Sequence, residues 1–295
     1  MKEIAIIGPT ASGKSDLALE YALKSNAVIL SIDSLSIYKE IDIASAKPSK
    51  DELSQVKHFG INLLNPKEAF SVSQFISLYH DTKAYATYHG KNLVIVGGSS
   101  FYLKSLQTGL SELPLITQDV KDEAKKLLYD VKSVYHLLQK IDPLSVQNIS
   151  YHDKYRLEKL LLIYLATNEA PSLWFLKHPP QGISKDLAIY NIDVSRDILK
   201  KRIKTRTKKM VTMGLVDEIC YLEKKYTRAP NSMKAIGVIE VLKYLDGFCN
   251  ESIMIEDIIM HTAQLAKRQQ TFNRTQFGDI TSLELTLLRE TLMHL

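Results

Sequence analysis

The sequence predicts an α/β protein: a P-loop-type parallel sheet flanked by helices, with an all-helical insertion domain. Three observations predict it. An apolar run, a glycine loop and a helix-forming segment follow one another at the start of the chain. Strand-like and helix-like segments then alternate. After a long stretch with helical spacing alone, the strand pattern resumes.

Ile4, Ala5, Ile6 and Ile7 have the short, continuous apolar pattern of a buried strand. Gly8, Pro9, Thr10, Ala11, Ser12, Gly13, Lys14 and Ser15 follow as G-x-x-x-x-G-K-S, and the segment to Lys24 places Leu17, Leu19, Tyr21 and Leu23 among good helix formers. The N–H groups of such a loop converge on an anion, and the helix start adds positive potential. Lys14 supplies a point charge, and the Ser15 hydroxyl is suited to hold Mg²⁺. The loop alone does not choose a ligand, because kinases, nucleotide hydrolases and other diphosphate users share it.

A second strand, Ala27 to Ile32, ends at Asp33; a later one, Asn92 to Val96, runs into Gly97 and Gly98. Ligands of parallel sheets bind beyond the carboxyl ends of the strands. The loop, Asp33-Ser34 and Gly97-Gly98-Ser99-Ser100 are therefore expected in one cleft. From Pro114 to about Pro180 the apolar residues fall at helical spacing, with Leu127, Leu128, Val131 and Val134, then Leu157, Leu160, Leu161 and Tyr164. This is the expected insertion, residues 113–183, and the core takes residues 1–112 and 184–295. It closes at Pro179-Pro180-Gln181-Gly182, after which Leu187 to Ile192 is again strand-like and ends at Asp193. The remainder reads as mostly helical, with stops at Gly214, Pro230-Asn231 and Asp246-Gly247.

Composition excludes several classes. With 45% hydrophobic and 24% charged residues, the 295-residue chain is neither disordered nor fibrous, and it is long enough for a large core. Its two cysteines, Cys220 and Cys249, make no C-x-x-C pair, so neither a disulfide framework nor a zinc site is indicated. No apolar stretch approaches the ~18 residues of a membrane span, and the N-terminus is occupied by the phosphate loop rather than a signal peptide. A cytoplasmic monomer is expected. The net charge of +5 is mild, so the placement of the charges matters more than their sum.

Asp33 is placed to accept a proton from a group above the loop or to bind Mg²⁺ through water, or else to serve as a helix N-cap. Gly97 and Gly98 stand where many nucleotide hydrolases carry a metal-binding Asp, which favours a transferase over ordinary hydrolysis. Lys200, Lys201, Arg202, Lys204, Arg206, Lys208 and Lys209 give one helix a broad cationic face. It is either a solvated face or, with Arg202 and Arg206 at i and i+4, a clamp for a diphosphate or a nucleic-acid backbone. Lys267, Arg268 and Arg274 are interleaved with Phe272 and Phe277, a mixture that suits unstacked bases unless the rings are core.

Six segments in order resemble one family, the tRNA dimethylallyltransferases, also called tRNA isopentenyltransferases. They are the loop itself; Asp33-Ser34 with Ile37-Tyr38, Asp42-Ile43 and Ala46-Lys47-Pro48; and Gly97-Gly98-Ser99-Ser100-Phe101-Tyr102-Leu103. Gly214 to Glu218, Ala235-Ile236-Gly237 with Glu240, and Ala266-Lys267-Arg268-Gln269 through Thr271 complete the set. The resemblance implies transfer of a dimethylallyl group from dimethylallyl diphosphate to the exocyclic amine of the adenosine 3′ of the anticodon in tRNA. It further implies a diphosphate held by Gly8 to Ser15 with Mg²⁺ on Ser15, and catalytic roles for Thr10, Arg202 and Asp33. The tRNA contacts it implies are Asp33, Ser34, Leu35, Ser36, Ser99, Lys121, Tyr155, Arg156 and Lys159, with the insertion gripping the anticodon stem and the basic C-terminal helices behind it. Ser36 stands where the family usually has Gln, Ser45 where it has Thr, and Phe272 where it has Trp. The alternative reading is a P-loop kinase of a small metabolite or nucleoside, with ATP in the loop. A nucleotide-switched RNA-binding protein ranks below both, for want of an N-K-x-D stretch.

Overall fold

A computed structural model describes residues 1–184, 187–278 and 280–294. Six parallel strands form one sheet in the order β3-β2-β4-β1-β5-β6. They are β1 (Glu3–Ile7), β2 (Ala27–Ser31), β3 (His58–Phe59), β4 (Asn92–Gly97), β5 (Ala188–Asp193) and β6 (Thr281–Glu284). The sequence pattern finds β1, β2, β4 and β5. It misses β3, which has two residues and so no periodicity, and β6, an exposed edge strand inside a region read as helical.

The helices of the core are α1 (Lys14–Lys24), α2 (Lys50–Gln55), α3 (Val72–Tyr88) and α4 (Ser100–Thr108). Between α4 and β5 come α5 (Gln118–Leu127), α6 (Val131–Ile141), α7 (Pro143–Val146), α8 (Lys154–Thr167) and α9 (Pro171–Lys177). After β5 follow α10 (Arg196–Thr212), α11 (Leu215–Tyr226), α12 (Val238–Leu245), α13 (Glu251–Gln276) and α14 (Leu285–Met293).

Both sheet faces are covered, which is why the central strands are apolar without alternation. Ile4, Ile6, Ile29, Val94 and Val96 pack with Leu17 and Tyr21 of α1, Leu199 and Ile203 of α10 and Leu288 of α14. The intervening residues Ala5, Ile7, Val28, Leu30 and Ile95 are equally buried. The register aligns Ile6 with Val96 and Ile7 with Gly97, while Ser31 also faces Val96, so β1, β2 and β4 end level and release their loops together. A second cluster packs Ile37, Tyr38 and Ile41 on Leu215, Leu222, Val241 and Ile258, fixing the long segment after β2 onto α11, α12 and α13.

The chain divides into two compact units, Met1–Leu106 with Asp186–Leu295, and Gln107–Lys185. The second begins earlier and ends later than the 113–183 expected from sequence. It is all helical, built on Ala124, Leu128, Val134, Leu138, Leu157, Leu160 and Leu161. Leu127, expected among these, is exposed. Asp142 ties the unit together: its carboxylate accepts from Ser172 N at 2.7 Å, Ser172 Oγ at 2.9 Å and Ser145 N at 3.3 Å. Burial works against its charge, but these hydrogen bonds outweigh it and hold the carboxyl below the usual Asp range.

Candidate active site

The loop between β1 and α1 is shaped by backbone geometry and braced from outside. Ser12 N donates to Pro9 O at 3.2 Å, and Gly13 takes the left-handed conformation at φ 94° to start α1. Glycine is required here for its dihedral, while a Cβ on Gly13 would come within 2.9 Å of Leu285 Cδ2 and push that side-chain tip aside. Lys14 Nζ donates to Pro9 O at 3.1 Å. Burial pulls the Lys14 ammonium down to about 8 against the attraction of Asp33, and Arg206 adds to the depression.

Three side chains from the C-terminal part of the core hold the loop. Arg202 Nη1 donates to Ser12 O at 3.0 Å and Ala11 O at 3.5 Å. Arg206, one turn further along α10, donates from Nη1 to Thr10 Oγ1 at 3.3 Å. Burial lowers the Arg206 pKa and Asp33 opposes that shift. Gln269 of α13 accepts from Thr10 N at 2.8 Å and donates to Gly98 O at 3.0 Å, so one amide ties the loop to the end of β4. Gly98 is glycine because its neighbour is this amide, which a Cβ would overlap.

Asp33 follows β2 by two residues. Its Oδ1 accepts from Leu35 N at 2.9 Å and Ser36 N at 3.1 Å, so it caps a turn and not the helix expected from sequence, because residues 34–37 form no helix. Oδ2 makes no hydrogen bond to any described residue, and Asp33 acts electrostatically on both Lys14 and Arg206. One oxygen therefore sets the turn and the other has no partner among the described residues.

Two cavities meet at these residues. The smaller, about 230 Å³, is lined by Lys14, Ser15, Ser36, Val96 and Gly97. The larger, about 630 Å³, is lined by Ser34, Leu35, Ser99, Phe101, Arg268 and Phe272. Thr10, Asp33, Arg206 and Gln269 line both. The three strand ends thus converge as their sequence predicts. A third cavity, of about 770 Å³, has Lys14, Ser15, Arg202, Arg206 and Lys209 in its wall.

Arg202 is exposed and spends its charge on loop carbonyls, whereas half-buried Arg206 stands where the cavities meet. The i, i+4 spacing puts both on one side of α10 but does not rank them. Ser36 is buried, with its hydroxyl on Ser31 Oγ at 3.1 Å and Asp33 O at 3.4 Å. Lys121, Tyr155, Arg156 and Lys159 belong to the helical unit and are all exposed. There Lys159 Nζ lies 5.4 Å from the Tyr155 ring, and Arg156 pairs with Asp153 at 3.3 Å.

Gln269 and Glu218 are missed as working residues, because nothing local marks them. Glu218 accepts from three successive backbone amides, Asp42 N at 2.9 Å, Ile43 N at 2.7 Å and Ala44 N at 2.9 Å. It thereby fixes the strip that carries Ala44 and Ser45 into the larger cavity.

Comparison with known proteins gives the family of the chain. A family model described as IPP transferase matches residues 36–276. A tRNA dimethylallyltransferase of Sulfurimonas denitrificans is 54% identical over 293 residues, 99% of each chain. One of a Sulfurovum species is 50% identical over 98% of each. Among solved structures, a full-length tRNA isopentenylpyrophosphate transferase from Bacillus halodurans superposes with a TM-score of 0.72 at 28% identity, covering 99% of this chain and 94% of that one. A eukaryotic dimethylallyltransferase acting on tRNA gives 0.85 at 25% identity, covering 96% of this chain and 73% of that one. With its sheet, its braced loop and these matches along nearly its whole length, the chain belongs to the IPP transferase family.

Proposed function

We propose that this protein transfers a dimethylallyl group from dimethylallyl diphosphate to the exocyclic amine of the adenosine 3′ of the anticodon in tRNA, releasing diphosphate. The observation that carries the reading is the junction of two cavities at Thr10, Asp33 and Arg206. A diphosphate in the cavity of the loop and a purine in the larger one would meet beside a single free carboxylate oxygen. The relatives named for this reaction support it.

In the reaction the bond from the allylic carbon to the diphosphate oxygen breaks, and its electron pair leaves with the diphosphate. The adenine nitrogen forms the new C–N bond and gives up a proton, for which Asp33 Oδ2 is the acceptor. Loop amides, Lys14 and Arg206 oppose the charge growing on the leaving group. An exocyclic adenine amine is a weak nucleophile, so positioning between the cavities contributes more than basicity. Extruding the base is less costly from a loop than from a duplex.

Mg²⁺ fits this site as a substrate-held ion. Ser15 lines the cavity beside Lys14, and no cluster of three His, Cys, Asp or Glu able to hold a metal is found among the described residues. That is the donor set of an ion that keeps its waters and takes phosphate oxygens. Bound there, with Ser15 as the protein ligand, it would supply further neutralisation of the diphosphate. On this reading Ser34, Leu35 and Ser99 face the anticodon loop, and Lys121, Tyr155, Arg156 and Lys159 take the stem. The protein works as a cytoplasmic monomer, and no helix among the described residues is long and apolar enough to cross a membrane.

The deciding experiment incubates the protein with tRNA from cells lacking the modification, labelled dimethylallyl diphosphate and Mg²⁺. Label in the RNA supports the reading. A phosphorylated product formed from ATP, with no label in RNA, overturns it in favour of a kinase.

A further inference from the structure

The basic character of this chain is concentrated in one helix. Residues 196–209 hold eight lysines and arginines and one acidic residue, Asp197, while the whole chain has a net charge of +5, so the rest is net negative. At about 100° per residue, α10 sorts these cations by face. Its buried line is Leu199, Ile203 and Thr207. To one side lie Arg202, Arg206 and Lys209, the residues that border the third cavity beside the loop. Away from it lie Lys200, Lys204 and Lys208 in an i, i+4 series, with Lys201 next to them. All four of these lysines are exposed, and no side chain among them makes a hydrogen bond or ion pair with a described residue.

The sorting has a chemical sense. Arg202 and Arg206, with a fixed fork of donors, are turned toward the loop beside Lys209, where geometry matters, whereas the outward face carries compact lysine charges alone. Like charges at i, i+4 repel along a helix, and Asp197, three residues before Lys200 and four before Lys201, makes no ion pair with either. The series from Lys200 to Lys208 is about 12 Å long, enough to meet successive phosphates of a polynucleotide. Contacts of this kind position a nucleic acid without reading its sequence. A membrane surface is the poorer match, because interfacial helices present an apolar face, and α10 buries Leu199 and Ile203 in the core.

We propose that Lys200, Lys201, Lys204 and Lys208 form a docking surface for the phosphate backbone of the RNA substrate, separate from the face of α10 that serves the diphosphate. The proposal rests on the functional reading above. The test compares the full chain with a fourfold Lys→Gln variant at these positions. Binding to a tRNA transcript is measured across a potassium chloride series, alongside modification kinetics. Each lost phosphate contact removes about 0.7 to 0.9 from the slope of log affinity on log salt. The variant is expected to lose about 3 to 3.5 from that slope and to raise the KM for tRNA roughly tenfold at low salt. Its kcat and its KM for dimethylallyl diphosphate are expected to stay unchanged, and its Tm to hold or rise slightly as the like charges are removed. A fourfold Lys→Arg variant should restore the slope.

An unaltered slope overturns the proposal, whether or not the protein modifies tRNA. If the slope falls but the unsubstituted protein transfers no dimethylallyl group, the surface stands and the functional reading fails. No tRNA binding by the unsubstituted protein overturns both. Loss of binding to phosphatidylglycerol vesicles, with the tRNA slope intact, overturns the proposal in favour of a lipid surface.

Discussion

Asp33 sets a turn with one oxygen, and the base role proposed for the other can be separated from it by substitution. Asn keeps an oxygen for the amides of Leu35 and Ser36 but accepts no proton. Asp33→Asn is therefore expected to fold normally and to bind diphosphate within about threefold of the original, while kcat falls by roughly 10² to 10⁴, the range for a lost general base. Single-turnover kinetics with saturating tRNA check it, and an undiminished rate removes Asp33 from the reaction. Lys14 gives a pH signature. Its folded value of about 8 lies below that of an exposed lysine, so deprotonation near pH 8 favours the ligand-free fold and is opposed by a bound anion. Affinity for inorganic pyrophosphate should fall by up to about tenfold per pH unit above that point. Lys14→Arg should lack this component, and calorimetric titrations of both proteins from neutral to alkaline pH separate it from the titration of the ligand.

Single elements here are held by one carboxylate each. Glu218, in the first turn of α11, accepts from the amides of Asp42, Ile43 and Ala44. Glu218→Ala would leave three amides without their acceptor, and about 2 to 3 kcal/mol of lost stability is expected from hydrogen bonds to a charged group. Chemical denaturation measures it, and a change below about 0.5 kcal/mol would show that water replaces the carboxylate. In the helical unit, the depressed Asp142 carboxyl contributes stability that is present above the ordinary Asp range and lost as pH falls through its own lower value. Asp142→Asn should flatten that acid limb. These elements also mark what a sequence discloses. β1, the glycine loop and α1 are legible because their signal lies within one short window. Leu128, Val134, Leu157 and Leu161 are legible as a helical core by spacing. Glu218 and Gln269 are not, because their partners lie 171 residues or more away, and no local pattern encodes such pairings. Arg206 is legible as one of a pair but is singled out only when the Thr10 hydroxyl comes beside it.

At the scale of the molecule, the loop and all three cavities around it lie in the unit formed by Met1–Leu106 and Asp186–Leu295. A diphosphate ligand should therefore stabilise that unit by mass action, about 2.7 kcal/mol at a hundredfold excess over Kd. Hydrogen exchange read peptide by peptide should slow in α1 and α10 and remain unaltered in α6 and α8. Equal slowing in both units would show the helical unit to be coupled to the loop. The loop's supports have a further consequence for biosynthesis. Leu285 against Gly13, Gln269 on Thr10 and Arg202 on Ser12 all reach back to a segment made long before them. A ribosome-bound nascent chain therefore carries an unsupported glycine turn until α10, α13 and α14 have been made. Anion affinity should consequently emerge abruptly once these helices are out instead of growing with length, so a premature stop before Leu285 would disable a loop translated far upstream of it.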